Sequence, residues 1–370
     1  MNRSLPILIL ILGGGGCLID IPSPVQPDAA VLDQCSPRAP DAGTGCAVKT
    51  DGYNCGACGR ACDPTQHCDD GLCTPLILTR VGYAPRVGAG LEDGTWVWTV
   101  VGGGPPNPTQ IRRYRIGVDA EPSTITTIDE LYGMAIDAQN VVFEGAARGV
   151  FRVDLQATDA TPEQLMTAGD MGVSGLHLHQ GFVYVGSGNA GITRVDLRSH
   201  DTLAFAGTEQ IGVVRGDSTH LYWLAFANGS YRVRRLAYDA PGQVPETVGS
   251  TLADAWDLTV GPSSLLVSAP GEQRIYRLPK PGVSCQPQAY HLDAAPRFGV
   301  EDGAYLYVDA FTGGSAEYPL EGSVWRIPIA GGPPLLMLPK LSNDYPAILV
   351  RPEALYAMDN DFYRLLKVPK

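Results

Sequence analysis

Histidine is sparse in this chain of 370 residues, and two of the six stand two apart in Leu176-His177-Leu178-His179. On a strand, residues at that spacing project from one face, where two imidazoles can share a metal ion. No third ligand is evident beside His177 and His179, and the plainer reading is a structural pair. Aromatic rings beside carboxylates offer a second chemistry. Tyr132, Trp256, Phe298 and Tyr345 stand close in sequence to Asp129, Asp170, Asp254, Asp257 and Asp344. Such a set suits a sugar, a peptide or a cation, although the same rings can wedge between packed layers while the aspartates solvate loops. The chain contains no Gly-x-Ser-x-Gly elbow, phosphate-binding loop or His-Glu-x-x-His pair, so no residue is assigned a catalytic role.

Cysteine supplies the third chemistry. Seven of the nine cysteines lie in one stretch, at Cys35, Cys46, Cys55, Cys58, Cys62, Cys68 and Cys73. Structural zinc takes two Cys-x-x-Cys pairs or paired histidines, and only His67 is near. A segment this short and this poor in apolar residues needs covalent staples in place of a core, each contributing about 2–4 kcal/mol. Disulfides are therefore expected. The six from Cys46 to Cys73 can pair in fifteen ways, which leaves Cys35 to pair with Cys285 and tie the front of the chain to the rest.

The first residues carry an address. Arg3, the apolar run Leu5 to Leu12 and Gly13 to Gly16 form the pattern of a secretory signal peptide, too short to span a bilayer. Cys17 after those small residues resembles the lipobox of bacterial lipoproteins, with Gly14 where that family prefers Leu. The resemblance implies lipidation of Cys17, with ordinary cleavage as the alternative. Leu18 and Ile19 are not the acidic pair that signals inner-membrane retention. The outer membrane or cell surface of a Gram-negative bacterium is the expected location, with a secreted or periplasmic protein as the alternative. Residues 20–44, with five prolines and no apolar periodicity, read as an extended tether. The string Asn54-Cys55-Gly-Ala-Cys58-Gly-Arg-Ala-Cys62, followed by Cys68-Asp-Asp-Gly-Leu-Cys73, resembles a small repeat of exported myxobacterial proteins, which implies a cell-surface setting and no activity.

What must position the candidate residues is a repeat. Gly (44) and Pro (30) make up about a fifth of the chain, too many for long helices. An apolar strand centred on Trp98, Phe143, Tyr184, Tyr222, Leu266, Tyr307 and Tyr356 recurs at steps of 45, 41, 38, 44, 41 and 49 residues. A second series, often bearing Arg, runs from Ile111–Ile116 through Val150–Leu155, Ile192–Leu197, Tyr231–Leu236, Arg274–Leu278 and Val324–Ile329 to Tyr363–Val368. Two independent series of seven predict an all-β, seven-bladed β-propeller over residues 74–370, with six or eight blades as the alternatives. The last blade stops after its third strand, so residues 74–80 are expected to supply its outer strand and leave no open edge. The repeats resemble bacterial propellers with a Leu-Tyr-Trp second strand, most clearly at Leu221-Tyr222-Trp223. The expected organisation is a signal peptide (1–16), an anchor and tether (17–45), a cysteine-rich module (46–73) and the propeller (74–370).

In propellers the connections that precede each inner strand gather around one mouth of the channel. Tyr132, Asp170, Trp256, Asp257, Phe298 and Tyr345 are therefore the expected ligand face. Two long loops, Val101–Gln110 and Asp309–Ser323, add recognition surface. With 27 basic against 39 acidic residues and a net charge of −12, nucleic acid is not an expected partner. The sequence thus points to a monomeric, lipid-anchored binding or scaffolding module. Its expected partner is a protein, peptide or carbohydrate, and no cofactor is expected. The rival is a lyase- or lactonase-type propeller enzyme holding calcium or another divalent ion in the channel, with His177 and Asp257 its most testable members.

Overall fold

The computed structural model describes residues 62, 66–69, 72–80, 85–91, 95–100, 109–129, 131–145, 149–167, 173–207, 209–283, 286–312, 321–341, 348–351, 354–359 and 364–369. Cys17, Cys35, Cys46, Cys55, Cys58, Cys285, Asp170 and Tyr345 lie outside the described residues, as do residues 1–61 with the expected signal peptide and tether. The described chain is all-β, with seven four-stranded antiparallel sheets and one small hairpin.

The sheets are the blades of a ring: blade 1 (85–128), blade 2 (131–167), blade 3 (175–206), blade 4 (210–252), blade 5 (257–291), blade 6 (295–341) and blade 7 (348–369). Strand order follows the chain from the innermost strand outwards. The inner strands touch in sequence around the channel, and Ile348–Arg351 of blade 7 returns to Pro85–Gly90 of blade 1. Blade 7 takes its outer strand from Leu76–Arg80, which pairs antiparallel with Arg364–Pro369. The expected closure is present, and the blade number is seven.

Period-two alternation explains why the second strand of each blade reads as a continuous apolar run. Both faces of that strand are covered, one by each neighbouring blade. In blade 1, Trp96 and Trp98 pack with Tyr356 and Leu365 of blade 7, while Val97 between them packs with Val141 and Phe143 of blade 2. In blade 4, Leu221 and Trp223 join Tyr184 and Phe205 of blade 3, whereas Tyr222 and Leu224 join Leu258 and Leu265 of blade 5.

The third-strand arginines reach the next blade, as their position implies. Arg113 donates to the Leu155 carbonyl (2.6 Å) and the Gln156 side chain (2.9 Å). Arg152 repeats the reach one blade on, to the Leu197 carbonyl. Ahead of the closing strand, a hairpin of Cys68–Asp69 and Leu72–Cys73 is stapled by a Cys62–Cys73 disulfide. Cys68 is disulfide-bonded too.

Candidate functional site

Each inner strand starts at one mouth of the channel and ends, through its hairpin turn, at the other. Of the aromatic-and-carboxylate pattern, Tyr132, Trp256, Asp257 and Phe298 are among the described residues and lie at or near the starts of inner strands. Trp256 is 62% exposed and Tyr132 56% exposed, but they belong to blades three apart in the ring. Phe298 instead packs into the core between blades 6 and 7, beside Tyr307, Ile348 and Leu355. Asp257 is largely buried. Its Oδ1 accepts the Leu258 N–H at 2.8 Å and lies 3.4 Å from the Arg215 guanidinium. Burial raises the Asp257 carboxyl above its ordinary value, against the pull of Arg215 and the Leu258 N–H.

His177 and His179 share a face of blade 3's inner strand, as their spacing requires, and His179 ends that strand rather than entering the turn. Both address Tyr238 of blade 4. The Nε2 of His177 is 3.0 Å from the Tyr238 hydroxyl, and the His179 ring stacks on the Tyr238 ring at 3.8 Å. Among the described residues no cluster of three His, Cys, Asp or Glu side chains is placed to hold a metal ion. Gly216 passes directly over the pair. A Cβ there would lie 2.0 Å from the Tyr238 hydroxyl and 2.5 Å from His177 Nε2, so only glycine permits this approach.

Burial, reinforced by Arg215 and His179, holds His177 down to about 4, with Asp217 pulling weakly the other way. The unfolded chain protonates this imidazole near 6.5, so between about 6.5 and 4 the unfolded state binds the extra proton. This contribution is therefore complete above about 6.5 and shrinks as pH falls, by about 3 kcal/mol in full. Asp309 works in the opposite sense, because burial pushes it up to about 7 against the pull of Arg297. The prediction is accordingly a difference. Relative to His177→Phe, the wild-type protein should lose stability progressively between about pH 6.5 and pH 4 in chemical denaturation. A parallel pH dependence of the two proteins would show that His177 titrates normally.

The mouth where the hairpin turns emerge holds a cavity of about 760 Å³, away from the aromatic-and-carboxylate pattern. Its lining comes from four blades: Gly216 to His220 with Tyr222 and Arg235, Thr259 to Pro262 with Lys280, Pro281 and Val283, Val300 and Glu301, and Ile348 to Val350. Asp217 organises the polar side. Its Oδ1 accepts the backbone N–H groups of Thr219 (2.8 Å) and His220 (2.9 Å) and the Thr219 hydroxyl (2.9 Å). Its Oδ2 accepts from Lys280 at 2.7 Å and from the Tyr222 hydroxyl at 3.1 Å. Burial alone would raise this carboxyl. The Lys280 hydrogen bond and the two backbone N–H groups outweigh it and hold Asp217 well below the usual carboxylate range. Burial and the adjacent Asp217 charge push Tyr222 up to about 12.

Two sequence signals point to this network in retrospect. Lys280 is the sole lysine between Lys49 and Lys340. The turn Asp217-Ser-Thr-His220 also repeats Asp137-Ala-Gln-Asn140 of blade 2, where Asp137 caps the Gln139 and Asn140 N–H groups in the same way. The histidine is thus a departure from an otherwise ordinary turn.

No protein-family model matches the chain, and no curated protein matches it in sequence. Among solved structures it is similar to virginiamycin B lyase from Staphylococcus aureus, with a TM-score of 0.60 and 14% identity over 80% of this chain and 98% of that one. A streptogramin B lyase aligns with a TM-score of 0.58 and 13% identity, over 80% of this chain and 96% of the other. The computationally designed Ika8 protein aligns at 0.50 and 11%, over 79% and 99%. At such identities the likeness is one of fold, and the fold it shows is the β-propeller.

Proposed function

We propose that the protein is an exported, lipid-anchored cell-surface binding module, and that its ligand site is the cavity at the hairpin-turn mouth. The observation that supports this most is the cavity itself. Its volume is that of a small-molecule or side-chain pocket, its walls come from four blades, and its polar groups are held by Asp217 and Lys280 before any ligand arrives. Preorganisation of this kind favours binding, because little side-chain freedom remains to be lost. The anchor part rests on Cys17 and the apolar run before it. A protein, peptide or carbohydrate at the cell surface is the partner class.

Photo-crosslinking amino acids placed at Val283, in the cavity wall, and at Trp256, at the opposite mouth, test the site on intact cells. Capture of a neighbour from position 283 and not from 256 is expected, and capture from 256 alone would overturn the assignment. The anchor is tested separately with Cys17→Ser, which should abolish incorporation of a labelled fatty acid and release the protein from the membrane fraction. A stoichiometric divalent ion in the purified protein, with a rise in Tm on its addition, would favour the lyase- or lactonase-type enzyme instead.

A further inference from the structure

The protons of the Asp217 network fix the chemistry of one ring nitrogen. Asp217 is ionised and can only accept, so the Thr219 hydroxyl, 2.9 Å away, donates to it. That hydroxyl has a single proton and also lies 2.8 Å from His220 Nδ1. With its proton committed to the carboxylate, Thr219 must accept, and His220 Nδ1 must be the protonated nitrogen. A neutral imidazole protonated at Nδ1 leaves Nε2 as a bare acceptor. Among the described residues Nε2 has no hydrogen-bond partner, and His220 lines the cavity.

Among the described residues, each charged side chain of the wall is matched. Lys280 faces Asp217 at 2.7 Å, Glu301 faces Arg277 at 2.8 Å, and Arg235 is held by Glu246. An ionic ligand would give up its hydration without finding an unmatched counter-charge. The rest of the described wall sets aliphatic side chains, Val260, Val283, Val300, Ile348 and Leu349, beside the hydroxyl-bearing Ser218, Thr259 and Tyr222.

Resting on the reading of this cavity as the ligand site, we infer that it takes a neutral ligand with an aliphatic part that donates a hydrogen bond to His220 Nε2. Thr219 and Asp217 act as positioning residues that fix the His220 tautomer.

Long-range proton–nitrogen correlation spectra of the full chain at about pH 8, where imidazole is neutral, should show His220 protonated at Nδ1. The opposite tautomer overturns the inference and leaves the cavity reading standing. Three probes with one aliphatic body then test the ligand class: N-acetylvalinamide (neutral), N-acetylvaline (anionic) and N-acetylvaline 2-aminoethylamide (cationic). The neutral amide should move the His220 ring signals and the Val300 and Ile348 methyl signals, and both charged probes should bind at least about tenfold more weakly. His220→Asn, which recreates the turn of blade 2 and so preserves the fold, should abolish the response to the amide. Equal responses to charged and neutral probes overturn the neutral class. Silence to all three overturns the cavity reading and the inference with it.

Discussion

Deleting residues 74–80 should cost the protein its cooperative fold, the largest effect expected from any short change in the ring. Those residues carry the outer strand of blade 7, and the pairing of Leu76 with Lys367 and of Arg80 with Arg364 joins the two ends of the propeller. Without it, Arg364–Pro369 becomes an unpaired edge. The apolar cluster of Leu78, Trp96, Trp98, Tyr356 and Leu365, which spans blades 7 and 1, also opens to water. Leu78 is partly buried and so contributes less than the roughly 1.5–3 kcal/mol of a fully buried leucine. Exposing the tryptophan faces beneath it adds to that. The expected readout is loss of a single calorimetric transition together with a rise in soluble aggregate.

A permuted rescue separates closure from any other role of the segment. Leu76 begins beside the end of the strand it pairs with, so residues 74–80 appended after Lys370 through a short linker can form an ordinary hairpin. Blade 3 makes the same connection between Asp196 and Thr202. The permuted chain should regain a cooperative transition. A deletion variant that stays soluble and unfolds cooperatively would contradict the closure.

The ring was readable in sequence because each blade repeats a strand buried on both faces. Trp96-Val97-Trp98 and Leu221-Tyr222-Trp223 are apolar throughout for that reason, and the third-strand arginines mark where one blade reaches the next. The missing outer strand was readable as well, because an apolar strand at Leu76–Arg80 had no other partner nearby. The candidate site was less so. Trp256 and Asp257 are adjacent in sequence, yet a strand start separates them, leaving the ring exposed and the carboxylate held by Arg215. The cavity was not readable, since Asp217 and Lys280 are 63 residues apart and meet through the packing of blade 5 on blade 4. A hydrogen bond between neighbouring blades leaves no periodic trace, because the aspartate turn recurs in blade 2 while its partner Lys280 has no counterpart there.

The second large effect is expected at the blade 5–blade 6 interface, where Arg277 and Glu301 form an ion pair at 2.8 Å with side chains only 3% and 2% exposed. Glu301 also accepts a hydrogen bond from Ser264. Arg277 stands on the third strand of blade 5 and Glu301 on the inner strand of blade 6, so the pair crosses the interface as Arg113 and Arg152 do elsewhere, but to a carboxylate instead of a carbonyl. Taking two charges out of water costs nearly as much as their attraction returns, so the intact pair adds little net stability. Removing one member is different. Glu301→Gln keeps the shape and an acceptor for Ser264, but leaves the guanidinium buried without its counter-charge, at a cost of about 3–5 kcal/mol. Scanning calorimetry should show a correspondingly lower Tm for Glu301→Gln and for Arg277→Met. The double replacement Arg277→Met/Glu301→Gln should recover much of the loss, because no buried charge then remains unpaired. If the two single losses instead add in the double variant, the pair is not coupled and the interface is held by its apolar contacts alone. Because Glu301 also lines the cavity, the same cycle read by the cationic probe separates the two roles. The Arg277→Met variant leaves the Glu301 carboxylate unmatched beside the cavity and should admit the cationic probe that the intact cavity disfavours.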